Sequence, residues 1–277
     1  MLRGYSTIIY LFLYAPIALI VLFSFNSGNN ASDFQHFAVT WYGKAANNTF
    51  VIEALENSLI VAGTSAALAT IMGTMAALAL QQVRGPLRLA FDGLTYISIM
   101  VPGIVIGIAT LIALVNTFAL LNGFLASLWP AGGAPQLAMG YGSIIAAHTL
   151  FSMALVIVIV RARIAGMNRS LIEASMDLYA DPWGTFRQVT LPLSAPGVIT
   201  GCMLVFILLM GEYLIPQLLG GGKVFFIGNA LVDLFLQSLN WPFGSACAVA
   251  LVVVMVVTVS LYLKATRARG ERDVSLI

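Results

Sequence analysis

Residues 170–192 read SLIEASMDLYADPWGTFRQVTLP, the one long polar interval between apolar runs that carries its own helix punctuation. Ser170 and Glu173 stand in the S-x-x-E spacing of a capping box. The serine oxygen would take an orphan amide, and the glutamate would reach back to the cap. That spacing predicts a short helix through about Leu178. Asp181 followed by Pro182 predicts a second one, with Asp as the cap and Pro at the first position, where a missing N–H costs nothing. The second helix is expected to stop before Pro192, since proline restricts the residue preceding it. A capped helix pair between hydrophobic segments is a surface on which something docks.

Outward from this stretch the chain is apolar. Hydrophobic residues make up 60% and charged residues 9%, against about 25% charged in soluble domains. Runs of about 20 apolar residues predict membrane-spanning helices. Six are expected, near residues 7–25, 57–80, 95–115, 143–160, 196–214 and 245–263. The fold class read from this is an all-α integral membrane protein, a single membrane domain over residues 1–277 with the helix pair between the fourth and fifth spans. The first run is too long for a signal peptide and lacks a small-x-small site after it, so it reads as a retained anchor. Cys202 and Cys247 fall within spans and read as small apolar residues.

Charge orients the spans. Eleven of the thirteen basic residues lie at the N-terminus, in the second and fourth intervals and in the tail: Arg3, Arg84, Arg88, Arg161, Arg163, Arg169, Arg187, Lys264, Arg267, Arg269 and Arg272. The alternate intervals hold Lys44 and Lys223. The positive-inside rule makes the basic side cytoplasmic, with both termini and the helix pair on it.

Residues 170–192 also resemble the EAA loop of ATP-binding-cassette importer permeases, whose pattern is E-A-A, a Gly four residues after the triplet, then nine residues and I-x-L-P. Glu173-Ala174-Ser175 fills the triplet, Tyr179 the glycine place and Val189-Thr190-Leu191-Pro192 the ending, without gaps. Tyr179 is the departure with physical content, because a Cβ disfavours the left-handed turn glycine accepts by roughly 1 kcal/mol or more. Either the turn uses ordinary dihedrals or a partner contact offsets the strain. Beyond the loop, Tyr14-Ala15-Pro16, Trp41-Tyr42, Gly211-Glu212-Tyr213, Ile227-Gly228-Asn229 and Asn240-Trp241-Pro242 look like the spermidine/putrescine subfamily.

The resemblance implies a multi-pass permease of a bacterial cytoplasmic (inner) membrane. It would pair with a second permease subunit, bind two ATPase subunits and receive solute from an extracytoplasmic binding protein; nucleic acid has no place in it. The EAA loop, about residues 163–192, would dock the ATPase through Glu173, Ala174, Ser175, Asp177, Tyr179, Ala180, Asp181, Leu191 and Pro192. ATP and Mg would be bound by that partner and no cofactor by this chain, which would not itself be an enzyme. A polyamine is the expected solute; thiamine, ferric iron and phosphonates are moved by relatives of the same subfamily.

Other features bear on these readings. Gly220-Gly221-Gly222-Lys223-Val224 is not a phosphate loop, since Gln217 and Val224 stand where Gly and Ser or Thr are required. Ser58, Ala62, Ala66, Thr70 and Thr74 recur every four positions, a small-residue stripe that packs within the chain or against a second permease. Pro102 can kink the third span, and the charge-free residues 116–142 are expected at the outer surface. Trp41-Tyr42 reads as an interfacial anchor and His148 as a packing residue. No His, Cys and Glu spacing points to a metal site and no Ser/His/Asp set to hydrolysis.

Glu212, near the outer end of the fifth span, has two readings. It is an interfacial carboxylate reaching water, or, with Tyr213, a group on a cation pathway, since an ionisable group within lipid costs at least about 2.5 kcal/mol and faces a cavity. Asp233 is a further pathway candidate and otherwise an ordinary loop charge. The rival machine, an ion-gradient-driven carrier, would need an internal repeat with paired broken helices or several intramembrane charges, and neither is evident.

Overall fold

An apolar run satisfies its own backbone only as a helix when no water is at hand, and the chain forms helices almost throughout. The computed structural model describes residues 2–30, 33–129, 133–168 and 170–274. Arg169 and Pro130 lie outside the described residues. Among those described, the β-pairing is a single antiparallel bridge between Asn26 and Phe37. Six helices are long and apolar enough to cross a membrane: Tyr5–Phe23, Thr49–Gln82, Gly103–Leu128, Tyr141–Ala165, Pro182–Met210 and Trp241–Lys264. The chain falls into two compact units, Met1–Ser58 with Phe225–Ile277, and Leu59–Val224.

The first unit holds α1 (Leu2–Phe23), α2 (Thr40–Asn47), the start of α3 (Thr49–Gln82), α11 (Ile227–Val232) and α12 (Trp241–Val274), with α1 and α2 against α12. Its loop is organised by buried Asn26. The Asn26 side-chain oxygen accepts from the amides of Gly28 and Gln35, and its Nδ2 donates to the Asp33 carbonyl at 2.9 Å. Trp41 is buried. It donates through Nε1 to the Asn26 carbonyl at 2.8 Å and packs on Phe243. Tyr42 donates to Ser24. The Trp-Tyr pair thus anchors the chain's own loop, because both polar tips find partners within it. Asn57 donates to the Phe225 carbonyl, and Ser58 accepts from the Ile227 amide at 2.9 Å.

The second unit is built around α6 (Tyr141–Ala165), whose neighbours include α9 (Leu191–Met210), α4 (Pro86–Met100), α10 (Leu214–Leu219) and α5 (Gly103–Leu128). Glycines set its closest approaches. A Cβ on Gly73 would lie 2.8 Å from the Val156 Cβ, and one on Gly197 would lie 2.6 Å from the Arg163 Cβ. His148 is fully buried in α6, as a packing residue should be. The stripe Ser58, Ala62, Ala66, Thr70 and Thr74 is buried in the chain itself, which favours packing within this subunit.

Three sequence expectations are corrected. The third span does not run as a kinked 95–115. Pro102 separates α4 from α5, and residues up to Leu128, expected in an outer interval, continue the helix. With no N–H, Pro102 cannot continue α4, and its fixed φ suits a helix entry. The helix opened by Asp181 does not stop before Pro192. It passes through a π-helical turn, Phe186–Thr190, directly into α9. In that turn the Leu191 N–H reaches back to the Phe186 carbonyl, and the wider ring relieves the clash a proline makes in an α-helical turn. The fifth span therefore runs over Pro182–Met210 rather than 196–214.

Candidate functional site

The helix pair of the polar interval is present as α7 (Ser170–Asp177) and α8 (Pro182–Thr185). The expected capping box is not how α7 begins. Ser170 is already helical, and its N–H donates to Asn168 Oδ1 at 3.0 Å, so Asn168 supplies the cap that the S-x-x-E spacing assigned to Ser170. Asp181 does cap α8: its Oδ1 accepts from the Gly184 N–H at 3.1 Å, with Pro182 at the first helical position.

Between the helices the chain turns through a left-handed residue, and that residue is Tyr179, at φ 59°. The Ala180 N–H donates to the Ser175 carbonyl at 3.1 Å and the Tyr179 N–H to the Met176 carbonyl at 2.9 Å. Together these form the Schellman closure that glycine ordinarily makes. Of the two readings of Tyr179, ordinary dihedrals are excluded. The side chain stands 98% exposed, beside exposed Met176, Leu178 and Trp183.

The two helices are tied by hydroxyls. Ser175 donates to the Ile172 carbonyl at 2.9 Å, which uses its hydrogen, so the 2.9 Å contact with Thr185 is donated by Thr185. Thr185 is 4% exposed. Glu173, Ala174, Asp177, Asp181, Leu191 and Pro192 are exposed, while Ala180 is half-buried. The nine residues expected to dock thus lie on α7, the turn after it and the start of α9, most of them open to solvent.

The root of this helix pair is held to the spans by contacts that link residues far apart in sequence. Arg163, at the end of α6, donates through Nε to the Leu193 carbonyl at 3.2 Å, where Gly197 lets the two helices meet. Arg161 hydrogen-bonds Asp92 on α4, and Arg88 Nε lies 3.8 Å from the same carboxylate. The hydrogen bond from Arg161 is the main cause holding Asp92 below its ordinary carboxylate value; it works against desolvation and is helped by the charges of Arg161 and Arg88. The i,i+4 spacing of Arg88 and Asp92 was the available signal, but the 69-residue separation of Asp92 from Arg161 left no local trace.

The pathway candidates are placed in different units. Glu212 lies beyond α9, which ends at Met210, and so outside the fifth span. It is half-buried, and its Oε1 accepts from the Leu214 N–H at 2.9 Å, opening α10. Tyr213 beside it is partly exposed. Asp233 opens a π-helical turn, Asp233–Gln237, and accepts from Ser238 at 3.3 Å.

Comparison with known proteins accords with this architecture. Residues 69–269 match the family described as binding-protein-dependent transport system inner membrane component. The spermidine/putrescine transport system permease protein PotC of Escherichia coli is 31% identical over 218 residues, 79% of this chain and 76% of that protein. The putrescine transport system permease protein PotI of the same organism is 31% identical over 213 residues, 76% of this chain and 71% of that protein. The crystal structure of a bacterial alginate ABC transporter, in complex with its alginate pentasaccharide-bound periplasmic protein, matches 96% of this chain and 93% of its own. Its TM-score of 0.70 at 18% identity is a likeness of fold. With a family match over most of its length and six apolar helices to carry it, the chain belongs to the binding-protein-dependent transport system inner membrane components and is a multi-pass protein of the inner membrane.

Proposed function

We propose that this chain is a permease subunit of an ATP-driven ABC importer, forming half of a pathway for a polyamine such as spermidine or putrescine. The observation that carries this reading is the 31% identity to PotC and PotI over three quarters of the chain. Residues 1–277 act as one permease domain with both termini cytoplasmic; the placement of eleven of thirteen basic residues supports that orientation. A second permease subunit completes the pathway, an extracytoplasmic binding protein delivers the solute, and two ATPase subunits bind ATP and Mg.

The ATPase docks on the helix pair, through Glu173, Ala174, Ser175, Asp177, Tyr179, Ala180, Asp181, Leu191 and Pro192. The exposure of this element and its apolar tip support the assignment. Glu212, Tyr213 and Asp233 are proposed to meet the cation, carboxylates by charge and the ring by cation–π attraction.

The test is co-purification of the chain with its subunits, followed by ATPase measurement with a panel of loaded binding proteins. Stimulation by a polyamine-loaded binding protein is expected. Stimulation only by a thiamine-, iron- or phosphonate-loaded one would replace the solute and keep the machine; purification without any ATPase would overturn the machine.

A further inference from the structure

Where two apolar spans end, the second unit leaves a cavity of about 400 Å³, bordered by Gln81, Arg88, Tyr96, Arg161, Ile172 and Thr190. Its depth follows from its walls. α3 stops at Gln82 and α6 at Ala165, so Gln81 and Arg161 sit in the closing turns of two helices long enough to cross a membrane. Span ends are where lipid headgroups lie.

The charge in this cavity is unbalanced. One carboxylate, Asp92, faces two guanidiniums, Arg161 and Arg88, leaving one net positive charge at the wall. Each guanidinium has five N–H groups in a fixed fork, more than Asp92 can accept, and this fork matches phosphate oxygens.

An apolar groove of about 330 Å³ adjoins the cavity, the two sharing Leu80 as a common wall. Phe91, Leu94, Met153 and Ile157 are among its lining residues. On α4 the exposed leucines Leu87, Leu89 and Leu94 share the helix with Arg88. Basic and apolar surface on one helix is the pattern of a segment lying in the membrane interface. A free phosphate would use the polar cavity and leave the groove without a purpose; a lipid uses both.

We propose that the cavity binds the phosphate headgroup of an anionic lipid through Arg88 and Arg161, with an acyl chain in the groove bounded by Leu80, Phe91 and Leu94. The site ties α3, α4 and α6 to the bilayer at the root of the α7 helix. It stands on geometry and charge and holds whichever solute the transporter carries.

The test uses the complete transporter complex, purified in mild detergent and mixed with equal phosphatidylglycerol and phosphatidylcholine, with retained lipid read by native mass spectrometry. Phosphatidylglycerol is expected to be retained in preference to phosphatidylcholine. Arg88→Gln should lower that retention about fivefold, the effect of one basic residue at an anionic membrane surface. Asp92→Asn, which leaves both guanidiniums uncompensated, should raise it. Arg88 is half-exposed, so Arg88→Gln should fold even if a change at Arg161 does not. Equal retention of the two lipids, or equal phosphatidylglycerol retention by the wild type and Arg88→Gln, overturns the proposal. Displacement of the lipid by millimolar inorganic phosphate overturns the lipid and assigns the cavity to a free anion.

Discussion

The hydroxyls of Ser175 and Thr185 meet at 2.9 Å, joining the last full turn of α7 to the end of α8 across the tyrosine turn. Where the EAA pattern has alanine, this chain has a serine with a partner. Ser175→Ala should cost about 1–3 kcal/mol, because it leaves the buried Thr185 hydroxyl without its acceptor. Ser175→Ala combined with Thr185→Val should recover most of the loss. A double-mutant cycle by thermal unfolding checks this; independent, additive effects would show that the contact does not couple the helices.

Tyr179 sits in left-handed backbone with its side chain in solvent. Tyr179→Gly should therefore stabilise the turn by about 1 kcal/mol, while Tyr179→Ala, which keeps a Cβ, should not. If the ring also contacts the ATPase, both variants should lose subunit affinity. Unfolding temperature and pull-down of the ATPase separate strain from contact.

Gly197→Ala and Gly73→Ala should each destabilise by about 1–3 kcal/mol, since the added Cβ would fall within 3 Å of Arg163 or Val156 side-chain atoms. Gly63→Ala, with nothing within 4 Å, is the control and should be neutral or stabilising by up to about 1 kcal/mol. A comparable loss at Gly63, where nothing lies within 4 Å and propensity favours alanine, would show that close approach to Arg163 and Val156 is not the cause.

The Asp92 carboxyl is held below its ordinary pKa, so its ion pair contributes stability above the unfolded carboxylate value, about pH 4. That contribution is lost as the pH falls through the lower folded value. Asp92→Asn should accordingly be less stable than the wild type at neutral pH, with the gap closing in acid below that window. A gap independent of pH would mean that Asp92 acts through shape alone.

Glu212→Gln keeps an oxygen to accept from the Leu214 N–H and removes the charge. If the carboxylate meets the transported cation, losing a contact at about 4 Å removes on the order of 4 kcal/mol of direct attraction at an effective dielectric near 20, less after screening. Polyamine uptake should fall strongly while the complex still assembles. Unchanged uptake would assign Glu212 to capping α10.

What the sequence made legible follows the range of the forces involved. That there are six spans was readable because hydrophobic length is a local property, while the bounds of the third and fifth were not. The Asp181-Pro182 start was readable because a cap acts over three residues. Ser170 has the right spacing to Glu173 for a cap, yet Asn168 two residues earlier offers an amide oxygen and is the one used. Pro192 signals a stop only where the rings are α-helical, and a π-helical turn changes the geometry that rule rests on. The Asp92–Arg161 pair and the glycine approaches of Gly73 and Gly197 depend on which helices become neighbours, which no local pattern records.

The loop-free helical run Pro182–Met210, with its π-helical turn and Pro196 inside it, has a mechanical meaning. Its 29 residues reach about 44 Å at 1.5 Å per residue. With no loop between the helix pair and the span to absorb a displacement, a push at Asp181 by an ATPase docked as proposed would reach the far end as tilt or screw motion of the helix. The π-helical turn sets the phase of that helix, since one residue more or less there turns every face beyond it by about 100°. Deleting Gln188 would leave the hydrophobicity of the span untouched and point its buried side, with Gly197, Gly201 and Val205, away from α6.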